Sequence, residues 1–166
     1  MNKMKEKIRE IRGGITLDQF MERAVQLALA NVEEGGTPFG AVLVKDGKIV
    51  AEGVNELHLK HDVSGHAELL AIRQAQEKLQ TDDLSGYTMY ASGQPCPMCL
   101  TALYYANISD VYYCASIEEA KEVGLGASVT IYNDFAKPNE ERAIVMKHMP
   151  LKDEQEDPMR AWHKKQ

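Results

Sequence analysis

An α/β domain, with helices layered on a mixed sheet, is predicted by three features of the sequence. They are a helical apolar repeat near the start, a strand–turn–strand pattern centred on Asp46-Gly47, and the alternation of helical and strand patterns that follows it. Thr16-Leu17-Asp18 opens the first helix. Leu17, Phe20, Met21, Ala24, Leu27 and Ala28 recur at three- and four-residue spacing, as one buried helix face requires, and Glu33-Glu34-Gly35-Gly36 ends it. Phe39 to Lys45 reads as a buried strand, Asp46-Gly47 as a two-residue hairpin turn, and Lys48 to Val54 as the returning strand.

After a polar loop from Glu56 to Ser64, Gly65 to Leu79 is rich in helix formers. Tyr87 to Ala91 follows as a short strand, Pro95 to Ala106 as a helix, Val111 to Ala115 as a strand and Ile117 to Val123 as a helix. Toward the end, Ala143 to Lys147 reads as a strand and Pro158 to Lys164 as a helix. There is no repeat, low-complexity tract or Gly/Ser linker, so one domain is expected over 1–166, with an N-terminal extension (1–15) and a C-terminal segment (130–166).

Composition narrows the function classes. The 166 residues are 44% apolar and 27% charged, as in ordinary globular chains. The longest apolar runs, Ala24 to Ala30 and Phe39 to Val44, are core-sized and too short to span a membrane. Met1 to Arg12 lacks the apolar stretch of a secretory signal, so a cytoplasmic location is expected. That segment holds five basic and two acidic residues, a net +3. The whole chain is at −6, which leaves −9 on the remainder. Proteins that track phosphate backbones depend on basic surfaces, so a long nucleic acid is not the expected partner.

Two segments carry the chemistry: His66-Ala67-Glu68 and Pro95-Cys96-Pro97-Met98-Cys99, each at a predicted helix start. Cys96 and Cys99, three apart, share one face of a helical turn. Pro97 suits the first helical position, where a missing N–H costs nothing. A helix start also lowers thiol pKa and so favours the thiolate that zinc requires. With His66 as a third ligand, the set describes a catalytic Zn2+ site that keeps one position for water, whereas structural zinc is usually closed by four protein ligands. Zinc can bring the pKa of that water to about 7. Glu68, two residues from a ligand, can take the water's proton and then deliver protons to the ring nitrogen and to the leaving ammonia.

A lone C-x-x-C more often marks structural zinc or redox chemistry, and a lone H-x-E marks very little. Together and in this order they match the pattern of zinc nucleobase deaminases. Cys114, in Val-Tyr-Tyr-Cys-Ala, reads as core filler rather than a fourth ligand. His58 and His61 read as solvated loop residues, and His148 and His163 as surface residues.

At these residues the chain resembles the cytidine deaminase superfamily, and within it the small bacterial guanine deaminases. The likeness runs through Pro38-Phe39-Gly40-Ala41-Val42, Ala51-Glu52-Gly53-Val54-Asn55, the two zinc segments, Ile131-Tyr132, Lys137-Pro138 with Glu140-Glu141-Arg142, and Ala161-Trp162. The resemblance implies a three-layer α/β/α sandwich with a mixed five-stranded sheet. It also implies a homodimer, with exchange of the C-terminal segment between subunits as one arrangement, and a small amino-heterocycle as substrate. By the same resemblance Asn55 would hydrogen-bond the ring, the Ala67 N–H would face it, and Phe39 and Tyr105 would pack on it. Read without the resemblance, Asn55 is equally a turn residue at a strand end, and Phe39 and Tyr105 are core aromatics.

The sequence also departs from that family. The loop Gly124-Leu125-Gly126-Ala127-Ser128 lacks the carboxylate that guanine deaminases use to grip the purine N–H groups. No aromatic residue closes the C-terminal Trp162-His163-Lys164-Lys165-Gln166, and Gln94 stands where Glu is usual. A site that hydrogen-bonds its substrate discriminates strongly against analogues lacking the group, so such a change redirects specificity while sparing the zinc chemistry. Guanine therefore leads, with another aminated purine, a pterin, a triazine or a pyrimidine as the alternative. An RNA-acting adenosine deaminase and a non-catalytic zinc module are the further competitors.

Overall fold

The computed structural model describes residues 17–166. The N-terminal extension and its basic run, together with Thr16, lie outside the described residues. The chain divides into two compact units, one ending at Tyr132 and the other Asn133–Gln166.

In the first unit, helix α1 (Leu17–Glu33) buries Phe20, Ala24 and Ala28, the face that the spacing predicts. Strands β1 (Gly40–Lys45) and β2 (Lys48–Val54) pair antiparallel through Asp46-Gly47, both at positive φ, as a tight hairpin turn requires. Helix α2 (Ala67–Leu79) follows, then β3 (Thr88–Gly93), helix α3 (Pro97–Tyr105), β4 (Asp110–Ala115), helix α4 (Ile117–Glu122) and helix α5 (Ala127–Phe135). The strand order is β2-β1-β3-β4, with β1 antiparallel to both neighbours and β3 parallel to β4. The sheet is mixed, as expected.

Alternation along β1 divides the core. Ala41 and Leu43 pack with Ala67, Ala71, Ile72 and Leu103 from α2 and α3. Val42 and Val44 pack with Phe20 and Tyr90, against Met21 and Leu27 of α1. Helices thus cover both faces, giving the three α/β/α layers.

Three expectations are corrected. The sheet has four strands among the described residues, not five. Ala143 to Lys147 forms no strand, and Ile144, Val145 and Met146 are all exposed. β-Branched composition yields a strand only where an edge pairs with it and one face is covered. Cys114 is exposed rather than buried, because β4 is the outermost strand and most of its side chains face solvent.

The second unit is tied together locally. The carboxylate of Asp134 accepts from Lys137 Nζ and from the Ala143 backbone, and the Arg142 guanidinium donates to the carbonyls of Phe135 and Lys137. A short 3-10 turn spans Asn139–Glu141. Helix α6 (Pro158–His163) is capped by Asp157, which accepts from the Met159 and Arg160 backbones. No described helix is long and apolar enough to cross a membrane.

Candidate active site

Two helix starts converge on the same point. His66 occupies the N-cap position of α2 and Cys96 that of α3, both in extended backbone conformations. Cys96 Sγ accepts the Cys99 backbone N–H at 3.4 Å, and Pro97 takes the first helical position, as its lack of an N–H favours. The cap geometry therefore turns both sulfurs to one side.

The candidate ligand atoms of His66, Cys96 and Cys99 lie within 4.8 Å of one another. His66 Nδ1 is 3.4 Å from Cys96 Sγ and 3.6 Å from Cys99 Sγ. A tetrahedral zinc with its usual bonds to nitrogen and sulfur separates such atoms by about 3.5 Å. The donor set and its spacing fit zinc, with Nδ1 rather than Nε2 as the histidine ligand. Among the described residues no other group of three or more His, Cys, Asp or Glu side chains is so arranged.

Of the two thiols in this cluster, Cys96 is the one favoured to ionise. A hydrogen bond from Cys99 chiefly, with His66 adding to it, holds the Cys96 thiol down to about 4. Cys99 is pushed up, first by its hydrogen bond with Cys96 and then by burial. His66 is raised, chiefly by its hydrogen bond to Cys96.

Glu68 is buried on the first turn of α2, at 6% exposure. Desolvation raises its carboxyl above the usual range, and the nearby Cys96 charge adds to that. A buried carboxylate next to a metal position is suited to holding a proton and passing it on. Ala67, 1% exposed, opens α2, where the backbone N–H groups have no intrahelical partner.

Asn55 directly follows β2 and is 4% exposed. Its Oδ1 accepts the Leu57 N–H at 3.0 Å, so it does make the strand-end turn, and its Nδ2 has no partner among the described residues. Phe39 is half-buried against the larger core cluster, and its carbonyl accepts the Asn55 N–H. Tyr105, the last residue of α3, is 85% exposed, and its side chain has no hydrogen bond or ring contact among the described residues. The fold thus joins His66, Cys96, Cys99 and Glu68 in one cluster and links Phe39 to Asn55, while Tyr105 stands free of both.

Two further residues reach this region. The Tyr132 hydroxyl, on α5, donates to the Pro95 carbonyl at 2.8 Å, and its pKa is raised by burial and by the nearby Cys96, Cys99 and Glu68 charges. Gln94 Oε1 accepts the Ile117 N–H at 3.3 Å, so the amide that stands in place of a carboxylate closes the start of α4. Neither contact is visible in sequence spacing, since 37 residues separate Tyr132 from Pro95 and 23 separate Gln94 from Ile117.

Three protein ligands around a metal position, with a buried acid beside them, define a zinc-dependent hydrolytic enzyme. Residues 15–115 match the zinc-binding region of cytidine and deoxycytidylate deaminases, and the chain belongs to that family. It is similar to the guanine deaminase of Bacillus subtilis, with 44% identity over 146 residues, 87% of this chain and 92% of the relative. The crystal structure of a B. subtilis guanine deaminase superposes with a TM-score of 0.83 at 42% identity, covering 90% of this chain and 95% of that one. A tRNA-specific adenosine deaminase of Aquifex aeolicus is 30% identical over 139 residues, 84% of this chain and 89% of the relative. Zinc is the cofactor, and the reaction class is hydrolytic deamination.

Proposed function

We propose that this protein deaminates a free aminated heterocycle, guanine first among the candidates, by adding water at the amine-bearing carbon and releasing ammonia. The observation that carries the reading is the buried Glu68 set beside the His66, Cys96 and Cys99 ligand atoms. Zinc, when bound, acidifies the attacking water. Glu68 takes one proton from the water and delivers it to the ring nitrogen; it then takes the proton of the added hydroxyl and passes it to the departing amine as the C–N bond breaks. Asn55 donates from Nδ2 to the ring, the Ala67 N–H faces it, and Phe39 packs on it. The greater identity and coverage of the B. subtilis guanine deaminase, against the A. aeolicus tRNA deaminase, support a small ring over RNA. The acidic balance of the chain points the same way.

The protein acts as a homodimer in the cytoplasm. Ile144, Val145 and Met146 in the second unit, and Tyr112 and Tyr113 on β4, are exposed apolar groups of the kind that a second copy covers. Exchange of the 130–166 segment is one form such a dimer can take. Thiolate zinc ligands also persist best in a reducing compartment.

Ammonia release by zinc-loaded protein across aminated purines, pyrimidines, pterins and triazines tests the reading, with Glu68→Ala as the blank. Turnover of guanine supports it in full. Turnover of another ring alone keeps the chemistry and changes the substrate, and tight binding of tRNA at moderate salt with no ring turned over overturns it.

A further inference from the structure

Asn31 lies near the end of α1 and is 3% exposed, a buried polar side chain. Its Nδ2 donates to the Thr37 carbonyl at 2.8 Å and to the Asn55 carbonyl at 3.0 Å. One amide nitrogen carries two hydrogens, so both are committed. The Phe39 N–H donates to that same Thr37 carbonyl at 2.8 Å, and the Asn55 N–H donates to the Phe39 carbonyl at 3.1 Å. A closed circuit of hydrogen bonds therefore runs Asn31, Thr37, Phe39, Asn55 and back to Asn31. It holds the backbone of Asn55 at both its N–H and its carbonyl.

The side chain of Asn55 is fixed as well. The Leu57 N–H needs an acceptor, so the atom 3.0 Å from it is Oδ1, and the amide nitrogen is left as a donor without a partner among the described residues. Gly36 leaves the circuit no slack. A Cβ there would meet Asn31 Cγ at 2.7 Å and His58 Cε1 at 2.6 Å. A buried amide costs stability unless it is hydrogen-bonded, and an apolar side chain of similar volume would fill the space without that demand. What the amide adds is the position and orientation of Asn55.

We propose that Asn31 is a positioning residue for the deamination: it locks Asn55 so that Nδ2 is presented as a donor to an acceptor atom of the substrate, a ring nitrogen lone pair or a ring carbonyl. The inference rests on the reading of Asn55 as a ring contact. It restricts the substrate class to heterocycles that offer an acceptor on that edge.

Asn31→Asp tests it by keeping the shape while turning a carboxylate toward two carbonyls. Measured on the ring that the wild type turns over fastest, KM rises about tenfold or more while kcat falls by less than about threefold, as loss of a ground-state contact predicts. Zinc content and the melting cooperativity are those of the wild type. The double variant Asn31→Asp/Asn55→Ala is no worse than Asn55→Ala alone, because both changes remove one effect. If Asn31→Asp does not fold, Asn31→Ser, which keeps one donor, carries the same measurement. An unchanged KM in a folded, zinc-loaded variant overturns the inference, as do additive losses in the double variant. An unchanged KM in Asn55→Ala overturns the reading of Asn55 and this inference with it. If the wild type turns over none of the rings, the substrate reading fails on its own. The clamp is then judged by hydrogen exchange at the Asn55 and Leu57 amides: faster exchange in Asn31→Asp supports it and unchanged exchange overturns it.

Discussion

The hydroxyl of Tyr132 donates to the carbonyl of Pro95 at 2.8 Å, which ties helix α5 to the peptide immediately before the ligand Cys96. Groups that orient a metal ligand from outside its coordination shell commonly govern affinity by about 10–100-fold when removed. Tyr132→Phe keeps the ring and deletes only the bond, so zinc affinity is expected to fall by about tenfold in competition with a chelator. A melting temperature lowered by only a few degrees would accompany it, about the effect of one net hydrogen bond in a chain this size.

Glu68→Gln is nearly isosteric and leaves the ligand set untouched. Ammonia release should drop by about 10²-fold or more, the usual contribution of positioned proton transfer. Zinc content by elemental analysis should stay at the wild-type level. Loss of zinc together with activity would instead give Glu68 a structural part.

Removal of the metal should abolish deamination, and zinc should restore it. Cys99→Ala, which deletes a fully buried sulfur from the ligand group, should lower both zinc affinity and activity, whereas Cys114→Ala, on the exposed strand, should change neither. Activity followed during zinc titration of the dialysed protein separates the two cysteines.

Arg23 and Glu52 form a two-armed ion pair between α1 and β2, at 2.7 and 2.8 Å. The hydrogen bond from Arg23 leads in lowering the Glu52 carboxyl, with its charge adding to it. A carboxylate whose folded pKa is depressed contributes stability above its unfolded pKa and loses it as pH falls through the folded one. Both side chains are partly exposed, so the contribution is at most about 1 kcal/mol after solvent screening. Glu52→Gln should therefore lower stability in urea melts at pH 7, and the difference from wild type should shrink below about pH 4.

The elements that were legible in the sequence are those whose signal is local. The 3.6-residue repeat of α1, the Asp46-Gly47 turn and the proline at the start of α3 each depend on neighbours a few positions away. The ligand cluster was legible for the same reason, since Cys96 and Cys99 lie on one turn and His66 and Glu68 on another. Helix α5 was not, because Val129, Thr130 and Ile131 are β-branched and favour strand by propensity, whereas the segment is helical. The parts of the site that stayed hidden are long-range. Asn31 reaches Asn55 across 24 residues, and Tyr132 reaches Pro95 across 37.

Strand β4 is the outermost of the sheet, with Tyr112, Tyr113 and Cys114 exposed along it. Among the described residues it has β3 on one side and no strand on the other. A long apolar edge of this kind templates further strands and is a seed for aggregation. At high concentration or on warming, the chain should gel or precipitate through this edge. Introducing a charge there, Tyr113→Lys for example, is the change expected to keep it in solution.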